Sequence, residues 1–161
     1  MLQQSYDRVA GLVPDERIMV MTNESLTGLV REQLPSLPEA NVIGEPMRRD
    51  TAAAVALAAL LTRKRWGNPV MIVLTADHLI RQVELFQRTL VSAARAAALQ
   101  KVIYTFGIVP SYPATGYGYL ESGGKAGDDD GIECFELKRF VEKPDEPTAR
   151  EYLSTGRYYW N

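Results

Sequence analysis

The sequence predicts an α/β fold, a mostly parallel sheet with antiparallel strands added late. Three observations carry this. Apolar runs of strand length recur at "RIMVMT", "PVMIVLTA" and "VIYTFGIV". Longer segments with helical period or high alanine content separate them. After Val109 the chain turns rich in Gly, Pro and Asp, and its later strands are joined by loops.

The elements follow in order. "LQQSYDRVAGL" reads as a helix with Leu2, Tyr6 and Val9 on one face. "RIMVMT" is a strand, "ESLTGLVREQL" a helix that stops before Pro35, and "ANVIGEP" a short strand entering a loop. "DTAAAVALAALLTRKRW" is a helix in which Asp50 is a good N-cap, alanine supplies propensity, and basic residues occupy the last turn. "PVMIVLTA" is a buried strand. "QVELFQRTLVSAARAAALQ" places Val83, Phe86, Leu90, Ala94 and Ala97 on one helical face. "VIYTFGIV" is another apolar strand. "PSYPATGYGYLESGGKAGDDDGIE" is read as loop and short strands, with "GGKAGDDDG" a solvated turn. "CFELKRFVEKP" returns as a strand with Phe135, Leu137 and Phe140 pointing inward. "PTAREYLSTG" is a helix starting near Pro147 or Thr148 and ending at Gly156, before "RYYWN".

At 161 residues the chain fits one domain and can bury a core, and 46% hydrophobic with 24% charged residues is ordinary for a soluble protein. A net charge of −2 gives no support to nucleic-acid binding, which wants a basic excess. The apolar run Ala52–Leu61 is too short to span a bilayer, and the start, "MLQQSYDRVAG", lacks the regions of a signal peptide. The single Cys134 cannot form an internal disulfide and is expected as a small core hydrophobe. A cytoplasmic protein without nucleic-acid or membrane partners is the expectation.

Ligands of open α/β sheets bind beyond the carboxyl ends of the strands. Three clusters follow strands here: "GEPMRRDTAAA", "LTADHLI" and "FVEKP". Asp77 at a strand end suits Mg²⁺, which takes one or two protein carboxylates and completes its octahedron with water and phosphates. Asp77 equally suits a cap on the turn or on the next helix. His78, the only histidine, is read as a packed or hydrogen-bonded side chain. In the first cluster, Arg48 and Arg49 precede a helix N-terminus, whose free N–H groups and dipole favour phosphate. Glu45 can accept from the N1–H and 2-amino group of a guanine, and a solvated pre-helix loop is the plainer reading. Glu142 can accept from paired sugar hydroxyls and Lys143 can meet a phosphate as a point charge, although a surface Glu-Lys pair is common. In "PATGYGYLES", Gly116 and Gly118 permit close backbone approach, with Tyr117 and Tyr119 as a wall. A Gly-rich hairpin is the alternative.

Taken together, "GEPMRRDTAAAVALAAL", "VLTADHLI", "TFGIVPSYPATGYGYLES" and "FVEKPDEPTAREYLSTGRYYWN" resemble the mannose-1-phosphate guanylyltransferases, from Leu2 to Asn161. The resemblance implies a Rossmann-like nucleotidyltransferase (GT-A-like) fold, a mixed, mostly parallel sheet with helices on both faces. It implies conversion of GTP and mannose 1-phosphate to GDP-mannose and pyrophosphate with Mg²⁺, in nucleotide-sugar biosynthesis. By resemblance, Asp77 is a metal-binding and catalytic carboxylate, and Glu45, Arg49, Asp50 and Thr51 lie at the guanine nucleotide. Tyr117 and Gly118 lie at the sugar, Glu142 and Lys143 hold sugar hydroxyls and sugar phosphate (Lys143 as a catalytic group), and Asn161 lies at the sugar.

The sequence departs from the family pattern at Thr75 and Ala53, where proline is usual. The Gly-rich "GGxGxRLWPxSR" segment that opens family members is also absent. Residues 1–161 therefore read as a partial nucleotidyltransferase domain, incomplete at both ends. The expectation is that this polypeptide alone lacks useful activity, since one missing charge-stabilising donor costs on the order of a hundredfold in rate. An exposed sheet edge is expected to promote self-association or a homo-oligomer. Two other readings stand beside this one: a non-catalytic remnant that binds a sugar phosphate or nucleotide, and a pyrophosphorylase for another sugar or nucleotide.

Overall fold

A computed structural model describes residues 1–47 and 50–161. The fold is mixed α/β and divides into two compact units, Met1–Leu99 and Gln100–Asn161.

The first unit begins with helix α1 (Leu2–Asp7), shorter than the sequence predicts. Strand β1 (Val20–Asn23), helix α2 (Thr27–Gln33) and strand β2 (Val42–Glu45) form a β-α-β unit whose strands pair in parallel, Val20 opposite Val42 and Asn23 opposite Glu45. Helix α2 ends before Pro35 as expected, because a residue preceding proline is pushed out of helical backbone. Val30, Leu34, Leu37 and Val42 form the core here, with Leu2, Tyr6, Ile18 and Val20 packed on it. Buried Asn41 fastens this core from the side. Its amide donates to the carbonyls of Glu16 and Ile18 at 2.9 Å each, and its oxygen accepts from Arg65 Nη1 at 2.7 Å. A buried amide with all its partners met holds a unique arrangement, whereas an unmet one costs stability.

Helix α3 (Asp50–Trp66) and helix α4 (Val83–Leu99) appear where the sequence places them. In α4, Phe86, Leu90, Ala94 and Ala97 are buried or half-buried, the expected face, although Val83 is exposed. Helix α3 rests on alanine propensity more than on packing: only Thr62 is buried, and Leu60 is 66% exposed.

The second unit is a three-stranded antiparallel sheet in the order β4-β3-β5, built from strand β3 (Gly118–Asp129), strand β4 (Ile132–Glu142) and strand β5 (Tyr158–Trp160). Helix α5 (Glu146–Thr155) packs on it through Ala149 and Tyr152. Asp145 caps α5 by accepting from the Thr148 N–H, one residue earlier than the expected start. Tyr119, Ala149, Tyr152 and Tyr158 form the core. The Tyr152 and Tyr158 rings stack with centroids 3.9 Å apart. Arg139 donates to the Tyr158 hydroxyl at 2.7 Å and pairs with Glu121 at 3.3 Å. The bond to Tyr158 raises the Arg139 pKa, and burial pushes that of Tyr158 up.

Four expectations need correction. "PVMIVLTA" forms no strand: Val70, Ile72 and Val73 are 41%, 38% and 50% exposed. "VIYTFGIV" forms no strand either, only an isolated bridge between Ile108 and Trp160. Strand propensity needs a neighbour to supply hydrogen-bond partners, and among the described residues none pairs with Val70–Thr75. Conversely, the Gly-rich stretch read as loop and short strands contains one long strand, the twelve-residue β3. Its turn is Asp130-Gly131, with φ of 53° and 77°, the left-handed pair that a two-residue hairpin loop requires. Register shifts along the ladder absorb the glycines, as bulges do. Phe135, Leu137 and Phe140, expected to point inward, are 39%, 53% and 48% exposed on β4.

Candidate functional site

The second unit brings five expected residues together. Tyr117 and Gly118 stand at the start of β3, Glu142 and Lys143 at the end of β4, and Asn161 just after β5. Gly118 lies opposite Glu142 in the ladder. The Lys143 N–H donates to the Tyr117 carbonyl at 3.2 Å, and the Asn161 N–H donates to the Gly118 carbonyl at 2.9 Å. Backbone bonds thus join all three strand ends. Their side chains stay available: Tyr117, Glu142, Lys143 and Asn161 are exposed. Gly118 lets the neighbouring strand's side chains close over it, since a Cβ there would stand 2.6 Å from Phe140 Cζ and 3.3 Å from Glu142 Oε2 and would push the exposed Phe140 ring aside.

Lys143 departs from its strand with φ of 45°, a left-handed conformation uncommon outside glycine. That kink ends the strand and turns the side chain into its ion pair with Glu142, 3.2 Å between Nζ and Oε1. Both side chains are more than half exposed, so the pair adds little stability and leaves both charges accessible to a ligand.

Sequence reasoning missed three neighbours. The Trp160 ring meets Tyr112 and Tyr117 edge-on, with centroids 4.8 and 5.3 Å away. Thr105 Oγ1 accepts from the Asn161 side-chain amide at 2.7 Å. The Tyr117 hydroxyl, by hydrogen bonding, raises the Tyr112 pKa. Trp160 Nε1 is buried without a partner among the described residues. The signal for these residues was the run of aromatic and hydroxyl side chains in "YTFGIVPSY" and "YYW", which also fits plain core packing.

In the first unit the expected residues lie on separate elements. Glu45 ends β2, half-buried, opposite Asn23. Asp50 and Thr51 open α3 and are exposed, and Asp50 has φ of 60°, a left-handed backbone in place of the extended one usual for an N-cap. Arg49, and Arg48 beside it, lie outside the described residues. Asp77 is exposed on a turn rather than at the end of a buried strand, and no hydrogen bond or ion pair joins its carboxylate to another described residue. The His78 side chain is exposed, not packed, and its carbonyl accepts from Arg8.

No group of three or more His, Cys, Asp or Glu that could hold a metal occurs among the described residues. A lone exposed carboxylate does not fit an ion caged by protein. It does fit Mg²⁺, which keeps several waters and takes further oxygens from phosphates. No helix among the described residues is long and apolar enough to cross a membrane.

The model of the nucleotidyl transferase family matches residues 1–161. The chain is 44% identical to a mannose-1-phosphate guanylyltransferase of Escherichia coli, aligning over 100% of this chain and 34% of that protein. It is 43% identical to the xanthan biosynthesis protein XanB of Xanthomonas campestris, over 33% of that protein. The chain thus spans about a third of the length of these relatives. A crystal structure described as mannose-1-phosphate geranyltransferase, from Thermus thermophilus, superposes with a TM-score of 0.86 at 31% identity, over 99% of this chain and 44% of that one. Whole-length agreement in sequence model and fold places this chain in the nucleotidyl transferase family.

Proposed function

We propose that the protein to which this chain belongs is a mannose-1-phosphate guanylyltransferase, and that residues 100–161 carry the sugar-phosphate side of its site. One observation supports this most. Tyr117, Gly118, Glu142, Lys143 and Asn161, distant in sequence, meet at three strand ends with their polar groups exposed.

The reaction joins a phosphate oxygen of mannose 1-phosphate to the α-phosphorus of GTP, breaks the α–β phosphoanhydride bond, and releases pyrophosphate. The nucleophile is already anionic, so positioning and charge neutralisation supply most of the catalysis. Glu142 accepts from sugar hydroxyls, Lys143 meets the sugar phosphate, and Asn161 adds an amide held by Thr105. Tyr117 covers a face of the sugar against Trp160. Glu45 accepts from guanine, and Arg49, Asp50 and Thr51 bind the nucleotide. Asp77 would hold Mg²⁺, which when bound neutralises phosphate charge. The reading places this protein in nucleotide-sugar biosynthesis in the cytoplasm.

Calorimetric titration with mannose 1-phosphate, glucose 1-phosphate and GTP tests the reading. Saturable binding of mannose 1-phosphate that Glu142→Gln weakens is expected. Equal affinity for the two sugar phosphates would sink the assignment of mannose 1-phosphate as the substrate. A second reading, a binding module without chemistry, draws on the lone Asp77 carboxylate. Binding of mannose 1-phosphate with no GTP signal, with or without Mg²⁺, favours it.

A further inference from the structure

Arg8 is 4% exposed, and no acidic side chain pairs with it among the described residues. Burying a guanidinium costs several kcal/mol unless its protons are met. Two of its nitrogens are met here: Nη1 donates to the His78 carbonyl at 2.9 Å and Nη2 to Ser5 Oγ at 2.6 Å. Nε is buried without a partner. The Phe86 ring lies under the guanidinium, 6.0 Å from its centroid, and Gln87 Nε2 donates to the Arg8 carbonyl at 2.9 Å. Arg8 therefore links the end of α1 to α4 and reaches seventy residues along the chain to the turn beside Asp77.

That turn has little else to fix it. Residues 76–80 belong to no helix or strand, and the apolar run before them pairs with nothing described. Leu79 and Ile80 line one cavity with Gln4, Asp7, Arg8 and Val83, so α1 and the start of α4 close around the turn. The His78 carbonyl is one residue from the Asp77 carboxylate. Pinning it removes freedom from the peptide plane that follows His78, the second plane after Asp77, and so limits how the Asp77 turn can swing.

We propose that Arg8 is a positioning residue, a buried clamp that holds the Asp77 turn in the geometry needed to receive a phosphate-bound divalent cation. The proposal rests on the reading of Asp77 given above. Misplacement of a catalytic group by about 1 Å costs on the order of a hundredfold. A fixed carbonyl next to the carboxylate is a direct way to prevent it.

The test uses this chain with Arg8→Met, Arg8→Lys, Ser5→Ala and Asp77→Asn. Two measurements are made: amide hydrogen exchange, and Mn²⁺ affinity in the presence of GTP by electron paramagnetic resonance. Arg8→Met is expected to speed exchange at residues 76–80 about tenfold or more, leaving β1 and β2 amides unchanged, and to weaken Mn²⁺ about tenfold. Arg8→Lys, which restores one donor, should recover part of both. Ser5→Ala loosens the guanidinium without removing it and should give a smaller change of the same kind, which keeps the test open should Arg8→Met not fold. Exchange at 76–80 unchanged in both Arg8→Met and Ser5→Ala overturns the clamp, as does exchange that rises evenly across residues 1–99. Faster local exchange with undiminished Mn²⁺ affinity overturns its positioning role, provided Asp77→Asn weakens Mn²⁺. Undiminished Mn²⁺ affinity in Asp77→Asn overturns instead the Asp77 reading on which the proposal rests.

Discussion

The candidate residues of the two units are held in different ways. In Gln100–Asn161 they sit on the ends of paired strands, and backbone hydrogen bonds from Lys143 to Tyr117 and from Asn161 to Gly118 fix their spacing. In Met1–Leu99 they are scattered, Glu45 at the end of a strand, Asp50 and Thr51 at the start of a helix and Asp77 on a turn, and a side-chain clamp from Arg8 is what reaches that turn. Backbone ladders tolerate many side-chain changes. A clamp made by one side chain does not. Substitutions should therefore separate the units sharply: core changes break the first kind of site, and single polar changes break the second.

The largest expected effect is at Tyr152. Its ring stacks on Tyr158 and tilts against Tyr119 beneath the strand ends. Tyr152→Ala should cost about 3–5 kcal/mol, as large-to-small aromatic truncations in cores do. Binding of mannose 1-phosphate should vanish with it. Denaturant unfolding followed by Trp160 fluorescence, in a Trp66→Phe background, gives the number. A loss under about 1 kcal/mol means that this stack does not hold the strand ends.

Next comes Lys143. Lys143→Ala keeps the left-handed backbone and removes the charge, and Lys143→Gly removes both the strain and the charge. Both should weaken mannose 1-phosphate on the order of tenfold or more, the scale of a lost charge-assisted hydrogen bond. The glycine variant should be the more stable of the two by about 1 kcal/mol, because a left-handed conformation costs an L-residue that much. Equal stability would show that the kink is not strained in solution. A smaller effect is expected at Tyr112, which touches Trp160 but is not among the five converging residues. Tyr112→Phe keeps the ring contact and loses the hydroxyl near Tyr117, so affinity should fall only a few-fold, the scale of one neutral hydrogen bond.

The same contrast explains what the sequence could and could not disclose. The five residues that meet in the second unit were singled out through the family resemblance of "TGYGY", "EKP" and "WN", and their meeting at three strand ends was not itself readable from the sequence. Helices α3 and α4 were legible from alanine content and period. The strand from Gly118 to Asp129 was not, since glycines and aspartates have low strand propensity. The decisive signal was the Asp130-Gly131 pair, whose left-handed backbone makes a hairpin of whatever flanks it. The apolar run Val70–Thr75 misled in the opposite direction. Composition records what a segment can pair with, and pairing needs a partner beside it. Arg8 was invisible for a related reason, because its contacts lie three residues away on a helix and seventy residues away on a turn.

The smallest effect should be a pH dependence confined to α5. The Thr148 hydroxyl first, and then the Thr148 backbone N–H, hold the Asp145 carboxyl below the usual carboxylate range. A carboxylate whose folded pKa is depressed adds stability above its unfolded pKa, and that stability is lost as pH falls through the folded value. The window therefore opens just below the ordinary aspartate range, near pH 4, and closes at lower pH. Asp145→Ala should lower the melting temperature slightly at neutral pH and erase that part of the acid dependence. Asp145→Asn, which can still accept from the Thr148 N–H as a neutral cap, should keep most of the neutral stability while losing the acid dependence. The residues near the Asp77 turn should show no change in exchange in either variant. An acid dependence that survives Asp145→Ala would have to come from another carboxylate. Asp128 is the alternative, since Lys125 holds its carboxyl low beside the turn of the β3–β4 hairpin. Its own substitution by alanine then tells the two apart.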